Sequence, residues 1–444
     1  MASIQLVAQS EQDSDNRSAN TARMVNCYLE PVGSDMVIKS VLGMTSFATV
    51  PSVFARAIAE IGDKIFLVQG GILYEINSAG IATARGDVTD SPDTSISGND
   101  GAVTVASGGR YFVWDGTTLS EPTAGAFSAF GSVSYFGSLT VLTEKDGNRV
   151  QWSDVYDPKT LDGLSFATAD AYDDRILRAM AVSGSLYIFK ETSIEQWYQN
   201  GADLAPVSSG AIEFGLKGYG LLAKVPNGAF FVSSQGKVML LAGQAQPIST
   251  RAVETSIANA TPTHCFFYED EGHDFCVIRF SDRPSWVYDM ATGLWHERAE
   301  GGFTSEWSAV GSVKAFGKWH VSTEVGPLFS LGRTNIDADG PLIRFVQTST
   351  MRNDGNRFRI TRFEIEGRVG HADLGRDAQI MLQMSKDAGE TWTDVKARSM
   401  GGLGNFNARP VWRQLGQFRE ATARLTWADA AEISISNAAF IDVA

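Results

Sequence analysis

A chain of 444 residues that is 43% hydrophobic and 10% aromatic can bury an extensive core, which excludes wholesale disorder. Its formal charge of -14 excludes a surface that grips nucleic acid by neutralising phosphates, and three cysteines exclude an extracellular disulfide framework. The charge is uneven: from residue 344 onward 14 Lys plus Arg face 12 Asp plus Glu, so the first 343 residues carry -16.

Residues 1–48 read as an extended N-terminal arm. A polar run from Ser10 to Asn20 leads into Arg23-Met-Val-Asn-Cys-Tyr-Leu-Glu-Pro31, a stretch too short to fold alone and expected to lie on its own domain or on a neighbouring subunit. The start, Met1-Ala-Ser-Ile-Gln-Leu6, lacks the basic and apolar regions of a secretion signal, and no apolar run reaches about 18 residues. The expectation is a protein of the cytoplasm or of a particle assembled there, without membrane insertion. Val41-Leu-Gly-Met-Thr-Ser-Phe47 then leads into a repeating region.

Residues 49–343 repeat one unit, clearest in Ser285 to Arg298. Trp286 and Tyr288 alternate with Val287, Asp289, Thr292 and Gly293 supply turn chemistry, and Leu294, Trp295, His296 and Arg298 resume an extended run, so the stretch reads as a hairpin. Ile65 to Ile76, Val103 to Leu119, Leu139 to Trp152, Leu186 to Trp197, Phe230 to Leu241 and Trp319 to Phe329 share its shape. Their spacing, roughly 35 to 47 residues, is that of four-stranded propeller blades. An all-β fold follows, a β-propeller of about seven blades, with six or eight also fitting.

Within the repeats, Arg251 to Ala260 reads as a short helix with Thr250 as its cap. The carboxylates of Tyr172-Asp-Asp-Arg-Ile-Leu177 read as a solvated face rather than a catalytic pair. A hairpin turning at Asp270 and Glu271 sets Cys265 opposite Cys276, and both read as small buried hydrophobes rather than a cross-strand bond. Adjacent His264 and Cys265 point to opposite faces of a strand, so they do not converge with His273 and Cys276 on a metal.

Residues 344–444 change character, with a boundary near Pro341. Strands become rich in arginine, twelve against two lysines, which suits gripping carboxylates of other subunits or of an acidic partner, or simply marks surface strands. Ser385-Lys-Asp-Ala-Gly-Glu-Thr-Trp392 matches an Asp-box turn, in which Asp387 caps the turn's own amides and Trp392 packs beneath; Ser385, Gly389 and Thr391 complete the motif. Short extended runs to the end suggest a small β-sandwich-like domain.

No catalytic constellation, cofactor loop or metal motif emerges, and no enzyme activity is expected. A sialidase-like hydrolase is the sharpest enzymatic alternative, but it requires repeated Asp-boxes, three converging arginines and a Tyr paired with Glu. A kelch-like scaffold is a second, since Trp286 to Arg298 resembles half of a kelch repeat; the other hairpins do not keep that pattern.

Taken in order, Val25-Asn-Cys-Tyr-Leu-Glu30, Leu42-Gly-Met-Thr-Ser-Phe47, Gln69-Gly-Gly-Ile-Leu-Tyr74, Ser193-Ile-Glu-Gln-Trp-Tyr198, the Trp286 to Arg298 hairpin, Gly401 to Arg409 and Trp412-Arg-Gln-Leu-Gly416 together resemble the tail hub, or nozzle, proteins of short-tailed bacteriophages, also called packaged-DNA stabilisation proteins. That resemblance implies a structural protein of the virion tail, assembled in the host cytoplasm. It implies a homohexamer beneath the portal and adaptor that extends the DNA channel without binding DNA specifically. It also implies sites for a tail needle or plug and for tailspikes or tail fibres, and retention of the packaged genome until infection.

Overall fold

The computed structural model describes residues 2–10, 22–99, 101–123, 125–372, 374–429 and 433–443. Of the polar run expected in the arm, all but Ser10 lies outside them. Among the described residues, seven antiparallel four-stranded units follow one another: residues 55–87, 94–120, 130–168, 176–212, 222–247, 262–298, and 309–332 completed by Gly43–Ala48. We number these blades one to seven.

Each hairpin singled out in the sequence forms the two middle strands of a blade, except Ser285 to Arg298, which forms the two outer strands of blade six. Blade one shows why these strands read as continuous apolar runs. Ile65 and Leu67 point one way and join Val310 and Val313 of blade seven, whereas Phe66 and Val68 point the other way and join Val105, Phe112 and Trp114 of blade two. A blade is thus buried on both faces only because it has neighbours, which is the physical reason for the ring.

The ring closes on its own beginning. Gly43–Ala48 pairs antiparallel with Leu328–Gly332, matching Met44 with Leu331, and supplies the fourth strand of blade seven. The rest of the stretch read as an arm enters the C-terminal domain. Cys27–Val32 and Asp35–Ser40 form a hairpin whose second strand pairs with Ile435–Val443, and Ala2–Gln5 lies against that same strand. With Phe358–Gly367 and Val411–Phe418 they make one sheet of a β-sandwich. Leu29, Ile38, Ile360, Phe363 and Trp412 on this sheet face Ile380, Leu382, Leu425 and Trp427 on the other. The first 40 residues and the last 100 therefore share a core.

Three local expectations are corrected. The hairpin of blade six turns at Glu271-Gly272, both with positive φ, so Phe267 faces Cys276 and Cys265 faces Ile278; the two cysteines are diagonal neighbours, and both are free thiols. The helix is Arg251–Asn259, but Thr250 makes no side-chain cap; Ser249 instead donates its hydroxyl to Glu254 Oε1 at 2.8 Å. Asp174 is no solvated carboxylate. It accepts from the Thr192 and Ser193 amides and pairs with Lys190 Nζ at 2.8 Å.

Lys190 is fully buried and also reaches Glu195 and the carbonyls of Ala169 and Tyr172, so one ammonium holds blade four to the segment that precedes it. Lys190→Met leaves two buried carboxylates uncompensated. It should cost about 3 kcal/mol, read as a lower urea midpoint at unchanged secondary structure.

Candidate functional site: the junction of propeller and sandwich

The hairpin Ser285–Asp289 and Leu294–Arg298 is where the two domains are joined. Leu294–Arg298 is the outermost strand of blade six, and instead of ending in solvent it is continued by the strand Arg23–Val25, in parallel register with Val25 beside Glu297. Arg23–Val25 then pairs antiparallel with Arg344–Gln347, which pairs with Glu420–Trp427 of the sandwich. A ten-stranded sheet thus runs from the propeller's wall into the second domain. Backbone ladders cross the boundary where a linker would otherwise leave the domains free to swing.

Side chains reinforce the ladder. Glu297 is gripped by Arg23, whose Nε lies 2.8 Å from Oε2 and whose Nη2 also donates to the Phe303 carbonyl. Ser10 donates its hydroxyl to Glu297 and to the Met24 carbonyl. Beside them Arg298, also buried, donates to Asp337 Oδ1 at 2.5 Å and lies over the Trp307 ring. Asn26 has a positive φ of 58°, which lets its amide donate to the Glu297 carbonyl, its side-chain oxygen receive the Ala299 amide and its side-chain nitrogen reach the Ile343 carbonyl. Burial pushes the Asp337 carboxyl up to about 6 against the opposing pull of Arg298, and burial lowers the Arg344 guanidinium to about 10. Arg344 donates to Ser40 Oγ and to the Asp429 carbonyl, tying three separate segments.

The other residues of the hairpin anchor it to the propeller. Trp286 and Trp295 are buried edge to face, donating their indole N–H groups to Ser256 of the helix and to the Ile248 carbonyl; Tyr288 packs on Trp295 with ring centroids 5.0 Å apart. Asp289 organises the turn by accepting from the Ala291 amide and the Thr292 hydroxyl, and its second contact is His273 Nδ1 at 2.8 Å. Hydrogen bonding to Asp289 raises the His273 pKa. Nothing in the sequence pattern singled out Arg23, Asn26 or Asp337 as partners of this hairpin, because each lies roughly 40 to 275 residues away.

His296 is fully buried against Tyr28 and Phe275, and its Nε2 has no partner. Burial pushes its pKa down to about 3 from an ordinary 6.5. Between those values only the unfolded chain binds this proton, so the group's effect is to weaken the fold as pH falls below 6.5. The wild type should lose roughly 1.4 kcal/mol per pH unit from His296, and His296→Phe should flatten that part of the urea-midpoint profile between pH 6.5 and 4.

The Asp-box residues lie in the sandwich, remote from the hairpin. Ser385 Oγ donates to Asp387 and receives the Gly389 amide, Asp387 receives the Thr391 amide at 2.8 Å, and Trp392 donates to the Gly389 carbonyl. These bonds, first that from Ser385, hold the exposed Asp387 carboxyl at about 2. Arg424 stacks on Trp392 at 4.1 Å. The hydrogen bonds of Ser385, Asp387 and Trp392 thus close within the turn.

The propeller's axial tunnel is the second place where polar groups converge. It encloses a cavity of about 400 Å3 and brings Arg56, Arg178 and Tyr219 together. A hydrolase of the sialidase type needs its tyrosine beside a glutamate. Here Tyr219 donates to the Gly131 carbonyl, and no carboxylate is among the cavity's lining residues.

Comparison with known proteins agrees with this architecture. A family profile described as bacteriophage P22 Gp10, beta-propeller, matches residues 4–328, and one described as bacteriophage P22 Gp10, beta-sandwich, matches residues 343–441. No curated protein matches the chain. Among solved structures, a chain in the crystal structure of a mitotic checkpoint complex aligns with 74% of this chain and 97% of its own at 11% identity and a TM-score of 0.44. Two profiles in sequence, covering nearly the whole chain and dividing it where the sheet crosses from ring to sandwich, establish that the chain belongs to the P22 Gp10 family of structural tail proteins of short-tailed bacteriophages.

Proposed function

We propose that six copies of this chain form the hub, or nozzle, of a short-tailed phage virion, beneath the portal and adaptor. In this reading the ring extends the DNA channel, retains the packaged genome until infection, and anchors the tail needle or plug and the tailspikes or tail fibres. The chain acts by holding and not by turnover, and it is assembled in the host cytoplasm before joining the virion.

The observation that carries the proposal is the continuous sheet between the domains. A conduit under load needs subunits that do not flex at their waist, and a backbone ladder reinforced by the buried Arg23–Glu297 and Arg298–Asp337 pairs supplies that stiffness. The charge imbalance gives further support. An acidic wall repels a polyanion at short range and lets it slide. Exposed Asp154, Asp162, Asp170 and Asp173, which flank the outermost strand of blade three, Phe166–Thr168, are four carboxylates whose reversal tests this reading.

Light scattering on the purified full chain, alone and with the adaptor and portal complex, tests the assembly. A sixfold ring in either condition supports it; a monomer that joins neither itself nor the adaptor refutes it. For the channel, replacing those four aspartates by lysine should slow DNA ejection several-fold at low salt and less at high salt. Unchanged ejection would place them away from the passage.

A further inference from the structure

The tunnel through the propeller has an electrostatic character opposite to that of the surrounding body. Arg56, Arg178 and His264 lie within three residues of the start of the innermost strand of their blades, Ala55–Ile61, Ile176–Val182 and Pro262–Asp270. Tyr219 just precedes the corresponding strand of blade five, Leu222–Val225, whose Lys224 lies at the other end, beside the turn that leads into Gly228–Val232. Because the blades repeat, these starts point to one mouth of the tunnel.

The charges there do not balance. Arg56 pairs with Asp90 at 2.6 Å, and behind His264 the buried Arg279 pairs with Glu324. Arg178 has no carboxylate partner among the described residues, and no Asp or Glu lines the cavity. Arg178 lies over the Tyr219 ring at 5.1 Å and reaches the Tyr219 and Leu222 carbonyls only at 3.4 and 3.5 Å. Its Nε and the Nδ1 of His264 are buried without a hydrogen-bond partner. A guanidinium without a carboxylate and two orphaned buried nitrogens beside a cavity of about 400 Å3 are costly unless something negative completes them.

We propose that this mouth of the tunnel is a binding site for a compact oxyanion, a phosphate or a carboxylate, held chiefly by Arg178 with Arg56 and His264 on its flank. The anion accepts from Arg178 Nε and bridges blade four across the tunnel to Arg56 of blade one and His264 of blade six. His264 is neutral: burial, then Arg279, hold its pKa at about 4 against the opposing pull of Glu324. This inference goes beyond the hub reading and can fail while the ring still forms.

Isothermal titration of the full chain with inorganic phosphate, and separately with citrate, in chloride buffer at fixed ionic strength is the test. Saturable binding of at least one probe is expected; tighter phosphate assigns a tetrahedral anion and tighter citrate a carboxylate. Arg178→Gln should weaken binding by about tenfold or more, as loss of a charge-assisted hydrogen bond does. Arg110→Gln, which removes an exposed pair with Glu121 on blade two, should leave it unchanged. If Arg178→Gln does not fold, Arg56→Gln, whose partner Asp90 is exposed, carries the comparison. Absence of saturable heat with both probes, or undiminished binding by the tunnel variants that fold, overturns the proposal.

Discussion

Arg298→Met should lower the stability of the chain by close to 5 kcal/mol, the largest loss from any single substitution at the junction. The reason is what remains rather than what is removed. Methionine keeps the apolar stem against Trp307, so little packing is lost, but Asp337 stays behind, buried, with its Oδ2 already lacking a partner. Removing one member of a buried pair strands the other's charge, whereas replacing both with apolar groups is often neutral. Arg298→Met with Asp337→Leu should therefore recover most of the loss, and Arg110→Met at the exposed Arg110–Glu121 pair should cost far less than Arg298→Met.

A pH series sharpens the test. Asp337 already sits at about 6 with Arg298 present, and losing Arg298 raises it further. A carboxyl whose folded pKa lies above its unfolded value, 3.8 here, takes up its proton first in the folded state, so acid stabilises the fold through it. The deficit of Arg298→Met should accordingly shrink as pH falls from 7 to 5. Urea midpoints across that range report it, and a deficit below about 1 kcal/mol at pH 7 would show that the pair is no keystone of the junction.

The ring itself was legible because each blade writes its own signal. Alternation in Leu186 to Trp197 or Phe230 to Leu241 is local, and a strand buried on both faces must be apolar whichever blade it meets. The Asp-box was legible for the same reason, since all its bonds close within eight residues. The junction was not. Arg23-Met-Val25 looks like any extended tripeptide, and its ladder partners Glu297 and Phe345 are hundreds of residues distant, so period and propensity carry no trace of the pairing. Lys190 escaped notice, and Asp174 read as solvated, because burial of a lysine is visible only once the blades are stacked. The cysteine register slipped because the Glu271-Gly272 turn sits one residue beyond the acidic pair that seemed to mark it, and one step in a turn moves the pairing by two.

Deleting residues 1–48 should abolish folding of the propeller, whereas deleting 1–22 should leave the ring closed and weaken the sandwich and, through loss of Ser10, its junction with blade six. The shorter deletion removes Ala2–Gln5, an edge strand on Ile435–Val443, together with Leu6 and Val7 from the sandwich core. The longer one also removes Gly43–Ala48, the fourth strand of blade seven. Met44 and Ala48 are buried there, Phe47 packs on His320 with ring centroids 4.3 Å apart, and five residue pairs join the strand to Leu328–Gly332. At about 1 kcal/mol per ladder hydrogen bond and about 2 kcal/mol for burying a side chain of methionine size, the loss approaches 10 kcal/mol. That matches the whole stability of a typical domain, about 5 to 15 kcal/mol. The bare edge of Leu328–Gly332 is in addition a template for pairing with other chains, so the 49–444 chain should aggregate. A peptide of residues 41–50 supplied in trans should restore solubility and protease resistance by adding the missing strand. A soluble, protease-resistant 49–444 chain with native circular dichroism would mean that blade seven closes the ring without its N-terminal strand.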